Sequence, residues 1–132
     1  MGYRRKLGWI RVLIAGFVGE AVLIVAVIPF FIVLGEEGAQ APLQYAVPPL
    51  CLLILIPVGW WAARHAVSGH LLIGALVGLV AVVLYMAPVL VAGRPITFAY
   101  HLGDALKIVG GILGGFIAAS RAKELSDKGL AT

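Results

Sequence analysis

Four long apolar runs, separated by three short breaks, set the pattern of this chain. The runs cover approximately residues 12–34, 46–63, 71–92 and 99–119. Each holds 18 to 23 residues, enough for an α-helix rising about 1.5 Å per residue to cross a hydrocarbon core of about 30 Å. A backbone in lipid must satisfy its own hydrogen bonds, so helices are the expected form. The pattern predicts an all-α integral membrane protein, a four-transmembrane-helix bundle with up-down topology.

The breaks at residues 35–42, 64–70 and 93–95 combine polar side chains with the residues that most often interrupt helices. Gly35 and Pro42 bound the first break, and Gly93 and Pro95 bound the third. Glycine and proline at such positions are typical of loops. Because the third break is so short, the last two helices are predicted to form an antiparallel hairpin.

The composition excludes a soluble globular domain. Of the 132 residues, 62% are hydrophobic and 12% are charged, against about 45–50% and about 25% in soluble domains. A small soluble fold could not cover that much apolar surface, since it leaves a large share of its surface in water. The length suits a single membrane domain over residues 1–132.

The positive charges lie at the ends of the apolar runs. This placement, despite the net charge of +4, argues against nucleic acid as a partner, since no basic face is formed. One side carries eight basic residues: Arg4, Arg5, Lys6, Arg11, Arg64, Arg121, Lys123 and Lys128. The other side carries only Arg94, and Lys107 lies within a run. Positive residues favour the cytoplasmic side, which predicts a multi-pass protein of a cytoplasmic or inner membrane with cytoplasmic tails at 1–11 and 120–132.

Glycines mark the faces on which the helices are expected to pack. In the fourth run, small residues share one side with Asp104 and Lys107, whereas Ile108, Ile112 and Phe116 fall largely on the other. Spacings of four between glycines let a second backbone approach closely. The residues predicted to pack helices are Gly16, Gly19, Gly74, Gly78, Gly110, Gly111, Gly114 and Gly115.

Three ionisable residues are predicted to lie deep in the membrane. Glu20 and Lys107 are each eight residues into their runs from opposite sides, or about 12 Å, which brings them to similar heights. Asp104 lies one turn further outward, and His101 extends the same stripe. An ionisable residue at such depth costs about 2.5–3.5 kcal/mol. We therefore expect Asp104 to pair with Lys107 and Glu20 to reach Lys107 from the first helix.

This polar cluster supports two interpretations. As a structural clasp it would fix helix register, and the protein would be a structural, interaction or accessory membrane subunit, acting as a homo-oligomer or with a membrane-protein partner. As a proton relay it would indicate a proton-coupled transporter of a small solute, with Glu20 as the protonatable site. A transporter needs a water-accessible cavity at Glu20, whereas a clasp needs a dry one.

The remaining chemistry is sparse. Cys51 is the single cysteine, and His65 and His70 are five residues apart, which matches no firm metal spacing. The sequence contains no HExxH motif and no recognisable nucleophile signature. We therefore expect no enzymatic activity, no cofactor and no metal, and a lipid bilayer as the surrounding partner.

Overall fold

Helices account for nearly all of the chain in a computed structural model that describes residues 2–94 and 98–130. They are α1 (Gly2–Ala63), α2 (His70–Val91) and α3 (Phe98–Asp127). These ranges contain no strand, so the all-α prediction is confirmed. By length and composition, all three helices are able to cross a membrane, as a multi-pass membrane protein requires.

The prediction of a four-helix bundle is wrong, because the first two apolar runs lie in one helix. α1 continues through residues 35–42, and Gly35 is its single non-helical residue, at φ 73 and ψ 175. Glu36, Ala39 and Gln40 follow, and these residue types favour helix. Helix therefore resumes directly after Gly35, where the glycines and Pro42 had predicted a loop. Ala39 is also fully buried, which ties this segment to the packed interior.

Gly35 allows α1 to fold back on itself. We call residues 2–34 the first arm and residues 36–63 the second arm. The arms lie side by side, since a Cβ on Gly19 would be 3.4 Å from Leu55 Cδ1 and 3.7 Å from Val58 Cγ1. The backbone conformation of Gly35 is one that only glycine adopts readily. One residue thus reverses the chain direction where a loop of eight residues was predicted.

The second and third connections lie close to the breaks predicted at residues 64–70 and 93–95. Residues 64–69 join α1 to α2, and α2 ends at Val91. Pro95 of the third predicted break lies outside the described residues. Helix extends over most of both predicted tails, since α1 begins at Gly2 and α3 ends at Asp127.

α3 is the most enclosed helix. Of the most apolar stretch of α3, 44% is buried, against 17% of the corresponding stretch of α1 and 22% of that of α2. Gly110 and Gly114 lie against the second arm, where added Cβ atoms would be 2.8 Å from Leu52 O and 2.5 Å from Trp60 N. Gly111 lies against Gly74 of α2.

The remaining predicted packing glycines also lie at contacts between elements. Gly115 faces the His70 backbone, and Gly16 faces Val80. A Cβ on Gly78 would be 2.6 Å from Ile108 Cα. Ile108, which was expected on the opposite face, therefore contributes to the contact with α2, whereas Phe116 is exposed as expected.

The bend predicts a strong dependence on Gly35. We expect Gly35→Ala to lower the free energy of unfolding in detergent by about 1–3 kcal/mol, because alanine is strained in this conformation. An added Cβ would meet no atom within 4 Å, so the cost is conformational. The matched control is Gly38→Ala, a helical position where the nearest atom is Leu34 Cβ at 3.4 Å. That variant should be neutral or more stable by up to about 1 kcal/mol, and equal losses in both variants would contradict the assignment of the bend.

Candidate functional site: a buried charge cluster at the end of a cavity

Three charged residues from two helices meet in the interior. Lys107 Nζ lies 2.9 Å from Glu20 Oε2 and 3.3 Å from Asp104 Oδ1. Lys107 is 2% exposed, Glu20 7% and Asp104 8%. Asp104 and Lys107 are three residues apart on α3, so both project from one face, and the first arm supplies Glu20. We call these three residues the charge cluster.

The charge cluster is not internally balanced. Two carboxylates surround one ammonium, which gives a net charge of −1 when both carboxylates are ionised. Asp104 Oδ2 is buried and accepts no hydrogen bond within the described part of the chain. Glu20 Oε2 is close to Lys107 but is not aligned with it as a hydrogen bond. A buried acceptor without a donor is costly, by about 1–3 kcal/mol, so the cluster has spare capacity for a hydrogen-bond donor.

A cavity of about 400 Å³ ends on the charge cluster. Its walls are mostly apolar side chains from both arms of α1 and from α2, among them Leu23, Val47 and Leu84. The cavity extends away from the cluster toward Phe31 of the first arm and Val89 of α2. It therefore occupies the half of the protein that contains the bend at Gly35.

The cavity is much larger than a gap left by imperfect packing. A water molecule takes up about 30 Å³ in the liquid, whereas pockets for small molecules measure about 300–1,000 Å³. The volume of about 400 Å³ falls in the second range. Glu20 and Asp104 both line this space, so close packing does not enclose the charge cluster on every side.

Two tyrosines complete the polar part of the wall. Tyr85 of α2 and Tyr100 of α3 stack with ring centroids 5.9 Å apart and an interplanar angle of 21°. Lys107 Nζ lies 4.5 Å from the centroid of the Tyr85 ring, a distance suited to a cation–π contact. Neither tyrosine was predicted as a site residue. The available signal was that Tyr85 lies on the same line of its helix as Gly74 and Gly78.

The remaining predicted site residue, His101, is exposed and does not line the cavity. Gly103, which was not predicted as a site residue, lines the cavity, and an added Cβ there would be 3.5 Å from Cys51 Sγ and 3.5 Å from Val47 Cγ1. The single cysteine, Cys51, is fully buried and belongs to the same wall.

The end of the protein opposite the cavity is basic. The guanidinium carbons of Arg64 and Arg121 lie 5.1 Å and 5.7 Å from the centre of the Trp60 ring. His65 accepts a hydrogen bond of 3.0 Å from Arg64. Partial desolvation, followed by the charges of Arg11 and Arg64, lowers the pKa of His65 below its ordinary value. Basic residues from the first arm, the 64–69 connection and α3 thus share one end.

The described side chains include no group of three or more His, Cys, Asp or Glu residues that could hold a metal ion. Comparisons with protein-family models, with characterised proteins and with solved structures found no match for this chain. The charge cluster and the cavity are therefore the observations from which a function can be inferred.

The ion pairs predict strong coupling among the three charged residues. We expect Lys107→Met to lower the free energy of unfolding by about 3–5 kcal/mol, because it leaves buried carboxylates without a cation. Adding Glu20→Gln and Asp104→Asn should recover much of this loss, with couplings of about 0.5–3 kcal/mol between residues in contact. Lys123→Met, at an exposed position of α3, is the control and should have little effect. Unfolding of the full mutant cycle in detergent measures these terms, and additive losses would exclude a coupled cluster.

Proposed function

We propose that this protein is a proton-coupled transporter of a small solute, with Glu20 as the protonatable site. The observation that carries the proposal is the cavity of about 400 Å³ that ends on Glu20 and Asp104. A clasp that served only to hold helices together needs no such space beside its carboxylates.

The residues around Glu20 suit a site that exchanges a proton for a solute. The titratable groups that face it are Cys51 from the second arm, Tyr85 from α2, and Tyr100, Asp104 and Lys107 from α3. Lys107 neutralises one carboxylate, and the other holds either a proton or a bound solute. The burial of the cluster makes an uncompensated charge costly, so a proton and a solute that compensates the same carboxylate exclude each other.

The same proposal assigns an orientation. The basic end lies opposite the cavity, and basic residues favour the cytoplasmic side. Both termini are then cytoplasmic, Glu36 and Glu37 at the bend lie outside, and the cavity faces the outer half of the bilayer. The proposal therefore places the protein in a cytoplasmic or inner membrane, with its basic end on the cytoplasmic side.

A structural or accessory subunit is the second candidate. It is favoured by the burial of Lys107, which is 2% exposed and lies between two carboxylates. The glycine contacts of α3 also resemble those that hold membrane helices together. In this role the protein would act as a homo-oligomer or with another membrane protein, and Glu20 would carry no proton in a transport cycle.

Proton movement in proteoliposomes distinguishes the two candidates. A pH dye inside the vesicles reports the discharge of an imposed proton gradient when phenyltrimethylammonium, benzyl alcohol, benzoate or alanine is added, and the rate in empty liposomes is subtracted. We expect at least one solute to discharge the gradient with the wild-type protein and none to do so with Glu20→Gln. Phe116→Leu, at an outward-facing position, should behave as the wild type. Absence of any solute-dependent discharge, or undiminished discharge with Glu20→Gln, would favour the structural candidate.

A further inference from the structure

The chemistry of the cavity narrows the class of solute. We propose that the cavity binds an organic monocation, a protonated amine carried on a compact apolar body. This inference rests on the proposed function in using the same cavity, and it adds the charge, hydrogen-bonding capacity and shape of the ligand.

The charge of the site selects against anions. The only ammonium at the end of the cavity, among the described residues that line it, belongs to Lys107. That ammonium already lies between Glu20 and Asp104 and over the Tyr85 ring. With one proton shared by the two carboxylates the cluster is neutral, and an entering anion would give the site a negative charge without an available cation to pair with. A monocation that replaces the proton keeps the net charge at zero.

The unpaired acceptors require a donor. Asp104 is 8% exposed and lines the cavity, and its Oδ2 has no hydrogen-bond partner among the described residues. A protonated amine supplies N–H donors that can form charge-assisted hydrogen bonds to this carboxylate, and these are stronger than neutral ones. A neutral alcohol can donate one hydrogen bond but cannot replace the proton that compensates the second carboxylate.

The remaining wall fits the body of such a ligand. Apolar side chains such as Leu23, Val47 and Leu84 surround the space beyond the cluster. The stacked rings of Tyr85 and Tyr100 also face it, and aromatic faces attract cations. Lys107 Nζ, 4.5 Å from the centroid of the Tyr85 ring, already has this geometry within the site.

Proton exchange follows from the same charge count. In the empty site one proton is shared by the two carboxylates, which leaves the cluster neutral with Lys107. An ammonium that enters compensates the charge of the second carboxylate in place of this proton. Binding of one cation therefore releases one proton, and the net charge of the site does not change.

Calorimetric titration of the protein in lipid nanodiscs at neutral pH tests this proposal with probes of similar size. We expect benzylammonium to bind at least about tenfold more tightly than benzyl alcohol, a difference of about 1.4 kcal/mol, and benzoate to show no binding. Phenyltrimethylammonium, which has the charge but no N–H donor, should bind more weakly than benzylammonium. Titration in buffers of different ionisation enthalpy should register about one proton released per benzylammonium bound.

Two variants separate binding at the cavity from loss of fold. Asp104→Asn should weaken benzylammonium at least about tenfold. Gly103→Leu should abolish binding by filling the cavity, because Gly103 lines this space and the nearest atoms to an added Cβ are side-chain atoms of Cys51 and Val47 at 3.5 Å, not backbone atoms as at Gly110. Phe116→Leu should leave the affinity unchanged, and thermal unfolding verifies that each variant is folded.

The outcomes also separate this proposal from the proposed transport. Equal affinity for benzylammonium, benzyl alcohol and benzoate, preference for benzoate, or no binding of benzylammonium would overturn the assignment of the solute class. Preferential binding of the cation without discharge of the proton gradient would support the assigned solute class and contradict the proposed transport. Discharge of the gradient by benzoate or benzyl alcohol that is lost with Glu20→Gln would support the proposed transport and contradict the assigned solute class.

Discussion

The interaction on which the structure depends is the ammonium of Lys107 held between two carboxylates. Each of these groups would be costly in an apolar interior by itself, so Glu20 on the first arm and Lys107 on α3 require each other. Their separation of 2.9 Å fixes the height of α3 against α1. Beyond this contact, glycines bring the backbone of α3 close to the second arm, with added Cβ atoms at Gly110 and Gly114 only 2.8 Å and 2.5 Å from backbone atoms.

The two ends of α3 differ in packing, and this difference creates the site. From Gly110 to Gly115 the helix lies directly against the second arm and α2. At Gly103, one turn before Lys107, the nearest atoms to an added Cβ are side-chain atoms at 3.5 Å, and the space beyond is the cavity. The charge cluster lies at the boundary between the packed half and the open half. It therefore contributes to stability on one side while it presents carboxylates to the cavity on the other.

The sequence pattern predicted those features that depend on local periodicity and on counting residues. The apolar runs predicted helices, and the positions of Glu20 and Lys107 predicted similar heights. The break at residues 35–42 was misjudged, because Gly35 and Pro42 were given more weight than the helix-forming residues Glu36, Ala39 and Gln40. The cavity and the tyrosine pair could not be predicted in the same way, because both depend on distances between helices. Ile108 was misplaced for a similar reason, since α3 contacts neighbours on two sides and its packed surface is wider than one stripe.

The most direct test of the account is whether water-borne reagents reach the cavity wall. Val47 lies in the second arm, lines the cavity and is partly exposed, whereas Leu55, about two turns further along the same arm, is fully buried in the close-packed core. Both positions are tested in a background where Cys51, the single cysteine and itself fully buried, is replaced by Cys51→Ser. In sealed, right-side-out vesicles, the small cationic thiol reagent aminoethyl methanethiosulfonate added outside should modify the Val47→Cys variant and should not modify the Leu55→Cys variant. Modification of Val47→Cys that is no faster than modification of Leu55→Cys would contradict an accessible cavity and with it the proposed transport.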